Sequence, residues 1–375
     1  MCLDLLLGRR AWGAPTPTNL DSVTSLRPAV LAESGLDAGQ PWHFGDPLRE
    51  QRHLEAGDGA VDLSHHGVLT VTGPDRLSWL HSLTTQQLAD LPPGVGVTTL
   101  VLSPQGHIEH ALYGVDDGET FWVHTEPRAA AAAAEWLDRM RFMMRVEVTD
   151  RSAEYAVVWI AGPAGAGLTR TGPDSLGGHE IFVPRDELSA TLAEHTAAGL
   201  WAYEARRIAA GIPRIGVDSD HRTIPNELGL LGPAVHLDKG CYRGQETVAR
   251  VHTLGRPPRR LVRLHLDGST DTLPPTGAPL TLDGRAVGFV GSSARHYELG
   301  PIALGLIKRN VDPARDLLAA GPGDDGQPVI AAAQEILVDP EIGLHVRARL
   351  CPGPAPQPRH RSPRTRRLSV QVTQG

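Results

Sequence analysis

At 375 residues the chain is too long for one small core, and its length suggests two or three domains. A net charge of -7 argues against a nucleic-acid-binding face, and three cysteines (Cys2, Cys241, Cys351) cannot make a disulfide framework or an all-cysteine cluster. No apolar run reaches the roughly 18 residues a membrane span needs, and no apolar signal follows the N-terminal arginine pair, so a cytoplasmic protein is expected.

Residues 1–40 lack hydrophobic periodicity and are expected to form a flexible extension. Gly67 to Thr72 alternates like a strand, Gly73-Pro74 turns the chain, and Asp75 is placed to cap a helix through Leu77, Leu80 and Leu83. A meander follows, with strands from Thr98 to Ser103, His107 to Val115 and Glu119 to His124. Its turns are Pro104-Gln105-Gly106 and Asp117-Gly118. Pro127 opens an alanine-rich helix to about Met140. These elements make up a first subdomain, 41–152.

A second subdomain, 153–252, repeats the opening: a strand from Tyr155 to Ala161, then Gly162-Pro163. Helices are predicted from Asp186 to Ala198 and from Trp201 to Ala210, the second stopped by Gly211-Ile212-Pro213. From Arg260 the pattern is all β, with Val262, Leu264 and Leu266 alternating and an Asp283-Gly284 hairpin. This predicts a small barrel over 253–338. The segment 339–375 holds seven arginines after Glu341 and several prolines, and is expected to be a disordered basic tail. A chain of 41–338 is therefore expected to fold by itself.

The informative stretch runs from Asp238 to Arg250. It places Cys241 between Gly240 and Gly244, with Lys239 and Arg243 near enough in sequence to favour a thiolate. Tyr242, Gln245 and Glu246 add a ring, an amide and a carboxylate suited to a ligand rich in N–H groups. On residue chemistry alone, a turn opening a helix with a buried filler cysteine stands level with a reactive site.

Lys239-Gly240-Cys241-Tyr242 followed by Gly244-Gln245-Glu246 resembles the signature of the YgfZ family, relatives of the glycine cleavage T-protein. Weaker blocks in the same order support it over about 42–337. They are Asp62 to His65 with Val71 to Asp75, Arg207-Ile208 with Gly211 to Pro213, Pro225 to Glu227, and Gly288 to Ser292 with Ile302 to Gly305. The resemblance implies an α+β fold: a three-lobed ring of two mixed α/β subdomains and a C-terminal β-barrel, holding tetrahydrofolate. It implies that Glu227, or else Glu180, hydrogen-bonds the pterin and that Arg207 meets the anionic tail. Lys239, Gly240, Tyr242, Gly244, Gln245, Glu246 and Arg250 would line the site, with Cys241 as its chemical centre. T-protein relatives carry an acidic pair after the meander glycine, whereas His110-Ala111 stands in that place and Glu109 is one position off, on the opposite strand face. The resemblance thus implies a monomeric accessory protein for iron–sulfur cluster assembly or repair, meeting its client proteins transiently and serving tRNA-modifying enzymes among others. The alternatives are a folate-dependent aminomethyl or one-carbon transferase and a non-catalytic folate sensor or scaffold.

Overall fold

The structure, a computed structural model, describes residues 28–344 apart from 166 and 324–327; Cys2, Cys351 and the arginines of the tail lie outside these. The described chain enters through a hairpin in which β1 (Val30–Leu31) runs antiparallel to β2 (Pro41–His43). Helix α1 (Pro47–Glu55) begins where the Asp46 carboxylate accepts the Arg49 N–H and Pro47 supplies a helical φ. A short strand, β3 (Ala60–Asp62), follows.

The first lobe comprises β4 (Gly67–Thr72), α2 (Arg76–Leu83), β5 (Gly96–Leu102), β6 (Ile108–Asp116), β7 (Thr120–Thr125), α3 (Ala130–Arg139) and β8 (Glu147–Asp150). Its sheet is antiparallel in the order β5-β6-β7-β4-β8, with the predicted meander at one edge. Ala130, Ala133, Trp136 and Leu137 recur on one face of α3 and pack with Leu69 and Val71 of β4, the spacing that buries a helical stripe. Asp75 precedes α2 as expected but caps nothing there. Its carboxylate takes the guanidinium and backbone N–H of Arg145 instead.

The second lobe comprises β9 (Tyr155–Ile160), β10 (Thr169–Arg170), β11 (His179–Pro184), α4 (Leu188–Ala193), β12 (Ala197–Ala198) and α5 (Leu200–Ala209). Its sheet runs β10-β11-β9-β3-β12, so β3 crosses from the start of the chain to lie between β9 and β12. That exchange explains why the helix predicted from Asp186 to Ala198 stops early: Ala197 and Ala198 pair with Ala60 and Val61 instead of continuing the helix. Gly162-Pro163 likewise opens no helix, so the apparent repeat of the first lobe does not extend to its elements.

A 3-10 turn at Pro225–Leu228 and helix α6 (Gln245–Thr253) lead to the barrel. Its strands are β13 (Arg259–Leu266), β14 (Pro279–Leu282), β15 (Arg285–His296), β16 (Gly300–Lys308), β17 (Leu317–Ala320) and β18 (Val329–Ile336). They close in the order β13-β16-β15-β14-β17-β18, and Val262, Leu264, Leu280 and Ile330 fill the interior. Between the lobes, Leu102 and Ile108 of the first sheet meet Ala205 and Ile208 of α5, Tyr242 and Val248, and Leu261 and Leu304 of the barrel. The three-lobed α+β architecture expected from the sequence is present. Among the described residues no helix is long and apolar enough to cross a membrane.

The expected boundary at residue 40 cuts through an ordered unit. Besides the β1–β2 pairing, Asp37 forms a bidentate pair with Arg214 (2.8 and 2.9 Å) and meets His65 Nε2 at 2.9 Å. At the other end, Ile342 packs on the inter-lobe core and the Leu344 N–H donates to the His252 carbonyl. A chain beginning at residue 41 should therefore unfold at lower urea than one beginning at residue 28. In the full chain, Asp37→Asn should cost about 3 kcal/mol, because it breaks a largely buried ion pair. Identical urea midpoints for Asp37→Asn and the parent chain would show that the segment is dispensable.

Candidate functional site

The segment from Lys239 to Gln245 is pinned on both sides of Cys241. The Lys239 ammonium donates to the carbonyl oxygens of His81, Thr84 and Gln86, closing the exposed end of α2. Burial lowers this ammonium to about 8, and the three oxygens supply the ligation that its water shell would. Tyr242 sits in the inter-lobe core beneath Lys239, with its ring centre 5.2 Å from Nζ. Gly244 opens α6 with φ +82°, against the turn between β5 and β6. A side-chain carbon there would lie 2.5 Å from the Ser103 carbonyl oxygen, so both the angle and the contact require glycine.

Between these anchors Cys241 is exposed, which removes the buried-filler reading. The cations expected to favour its thiolate are engaged elsewhere: Lys239 on carbonyl oxygens, and Arg243 on Glu109 at 2.8 Å and over the Trp136 ring. Gln245 reaches back toward the Lys239 carbonyl, whereas Gly240, Glu246 and Arg250 are exposed. Of this stretch, Arg243, absent from the expected ligand set, faces a cavity.

Where the lobes meet lies a small, enclosed cavity of ≈ 40 Å³. Its lining includes Asp37, Tyr113, Glu126, Arg170, Glu180, Tyr203, Glu204, Arg207 and Arg214. Arg214 adds Glu126 (2.9 Å) to Asp37, while Arg207 binds Glu204 (2.7 and 3.0 Å), Asp218 (2.9 Å) and Ser292. Arg170 binds Asp174 (2.6 Å) and Glu180 (3.0 Å). Burial would raise the Asp37 carboxyl, but His65 and Arg214 hold it well below the usual range. Burial wins at Glu126 and Glu180, whose carboxyls are raised. The imidazoles of His66 and His124 also face this cavity. Both nitrogens of His124 and Nδ1 of His66 are buried without a hydrogen-bond partner. Burial pulls His124 down to about 3 and His66 well below its ordinary value, so both rings stay neutral.

Two expected roles change with these positions. Arg207 is fully engaged by carboxylates, a carbonyl and a hydroxyl, and is not available to a ligand anion. Glu227 lines neither this cavity nor the next. Its carboxylate is saturated by Arg259 (2.9 Å from each oxygen) and the Ile224 N–H, because Arg259 needs a buried counter-charge where β13 begins. Glu180, the second choice, does face the enclosed cavity.

A second cavity is open to solvent and large, ≈ 1150 Å³. It lies between the β6 end of the first sheet, α3 and the 215–221 loop, and its lining includes Glu109, His110, Trp136, Arg139, Asp220 and Arg243. Glu109 was expected on the opposite strand face from His110, yet both line this cavity. The pairing shifts between Val101–His110 and Leu102–Ile108, leaving Glu109 as the extra residue of a β-bulge.

Comparison with known proteins shows similarity over most of the chain. Residues 35–175 match the GCVT N-terminal domain. The aminomethyltransferase of Thermosynechococcus vestitus is 28% identical over 308 residues, covering 72% of this chain and 82% of the relative. The aminomethyltransferase of Streptomyces avermitilis is 26% identical over 358 residues, covering 84% and 92%. The crystal structure of glycine cleavage system aminomethyltransferase T from Bartonella henselae superposes with a TM-score of 0.70. It is 20% identical, over 82% of this chain and 93% of that one. The fold is aminomethyltransferase-like.

The neutral histidines give a pH signature. Their native pKa values lie below the unfolded value of about 6.5, so between those limits the unfolded chain binds protons that the native one does not, and stability falls on acidification. From pH 7 to 5 each should contribute a loss of roughly 2 kcal/mol. In urea titrations at both pH values, His124→Phe should show a smaller loss than the parent chain. Equal losses would mean that His124 takes up its proton in the folded state.

Proposed function

We propose that this chain, built on an aminomethyltransferase-like fold, binds tetrahydrofolate and supports iron–sulfur cluster assembly or repair through Cys241, without carrying out T-protein aminomethyl transfer. The observation that carries the proposal is the pinned segment: a lysine, a core tyrosine and a required glycine hold one cysteine at the surface. Rigid presentation of an accessible thiol suits a reaction on a second macromolecule better than packing does.

The site is poorly equipped for the transfer reaction. The Glu109 carboxylate is held by Arg243, and His110 offers an imidazole whose pKa burial has lowered. A proton acceptor in this wall would be neutral histidine, a weaker electrostatic partner for a developing cation than a free carboxylate. Among the described residues no group of histidine, cysteine and acidic side chains could hold a metal ion. Cys241 would therefore meet a cluster carried by another protein, whose own thiolates complete its ligation.

Folate fits one of the two cavities. Small-molecule pockets occupy roughly 300–1,000 Å³, so the enclosed space cannot take a bicyclic ring while its ion pairs stand. The open cavity has the volume, with Trp136, Arg139, His110 and Arg243 on its wall. Bound there, folate would supply a one-carbon carrier, while these residues hold its ring and its charge.

Iron–sulfur enzyme activities should fall in cells lacking the gene, recover with the parent gene and stay low with Cys241→Ala. The purified protein should transfer no aminomethyl group from an aminomethylated carrier protein to tetrahydrofolate. Full rescue by Cys241→Ala would point to a scaffold, and brisk transfer would point to the T-protein reaction.

A further inference from the structure

We infer that one end of the C-terminal barrel holds a small inorganic anion, a halide or a compact oxyanion, on the guanidinium of Arg260. The site is separate from both cavities, since Arg260 lines neither. Among the described residues four arginines are buried: Arg170, Arg207, Arg214 and Arg260. The first three each bind at least two carboxylates. Arg260, the most deeply buried, binds none. Its Nη2 donates to the Val311 carbonyl oxygen at 3.1 Å and to Gln334 Oε1 at 2.9 Å. Its Nε and Nη1 are buried without a hydrogen-bond partner. Burial lowers the pKa of this group, and Asp339, which opposes that, makes no hydrogen bond to it. A guanidinium keeps its proton even so, and the charge remains.

Strand register puts this charge inside the barrel. β13 sends Val262, Leu264 and Leu266 inward, and Arg260 stands in the same alternating row, two residues before Val262. Gln334 stands in the inward row of β18 with Ile330 and Ala332. The loop after β16 meets this pair with carbonyl oxygens: Val311 takes Arg260, and Asp312 and Arg315 take the Gln334 amide. The Asp312 carboxylate turns instead to the Ala314 N–H, and Asp283 is taken by Arg315. Water could satisfy the two free donors but would leave the buried charge uncompensated. An anion does both. Val262, Leu264, Leu280 and Ile330 fill the barrel beyond, so the ligand is limited to a few atoms at the end of the row. That size suits chloride or phosphate.

The test is urea unfolding of the full chain, because guanidinium chloride would itself supply an anion. Sodium chloride or sodium phosphate is titrated in while sodium gluconate holds the ionic strength constant. The urea midpoint of the parent chain should rise saturably, by roughly 0.5 M at a hundredfold excess over the dissociation constant. A rise with one salt alone supports the site and identifies its anion. Arg260→Met keeps a long side chain without the charge and should lose the rise. In gluconate alone it should unfold at no lower urea than the parent, because it removes an unpaired buried charge. Arg309→Met, which removes a neighbouring cation of the covering loop, should keep the rise. Crystals of the parent chain grown in sodium bromide and in sodium phosphate decide the matter if Arg260→Met fails to fold. An anomalous bromide peak or phosphate density beside Nε or Nη1 is the expected result. Ordered water alone at those nitrogens in both crystals would overturn the proposal. So would a midpoint that rises equally in the parent and Arg260→Met, or that does not rise at all.

Discussion

Arg214 and Arg207 hold the middle of this protein together. Arg214 joins Asp37 of the entry hairpin to Glu126 at the end of β7, and Arg207 joins Glu204 of α5 to Asp218 and to Ser292 of the barrel. Every lobe contributes a group, so a shift of any one breaks a hydrogen bond to a buried charge. Such a network contributes little net stability, because desolvating the ions offsets their attraction. What it fixes is geometry: alternative arrangements of the lobes strand a charge in the interior. The same network fills the space where the lobes converge, and leaves room for a sizeable ligand beside it.

The Lys239 to Gln245 segment depends on that arrangement. Its anchors belong to the first lobe: the carbonyls that end α2, the turn after β5, and the bulge residue Glu109. The segment was assigned by sequence order to the second subdomain, yet it clamps the first. Arg243 is the physical link between the surface thiol and the open cavity, two residues from Cys241 and stacked on Trp136.

Much of the fold was legible because it is local. The strand β4, the meander, α5 and the barrel strands follow from alternation, helical spacing and glycine turns within a few residues. The failures are non-local. Helix α4 ends where Ala197 and Ala198 find Ala60 and Val61, a pairing that no window around residue 190 reveals. Arg214 meets partners 88 and 177 residues away, so nothing near residue 37 marks the entry segment as structural. Glu109 and His110 share a wall because a bulge cancelled the strict alternation that sequence reading assumes. The family-like blocks fall beside buried ion pairs: Glu227 of the Pro225 block holds Arg259, and Arg214, just beyond Gly211 to Pro213, holds the centre.

The central claim is that the ion pairs keep the middle closed and send the ligand to the open cavity. A crystal structure of the full chain with 5-formyltetrahydrofolate tests this directly. The account predicts density for the ligand against Trp136, Arg139 and Arg243, with the Asp37–Arg214–Glu126 and Arg170–Glu180 pairs unchanged. A pterin ring seated between Tyr113 and Glu180, with Arg170 displaced from its carboxylates, would contradict it.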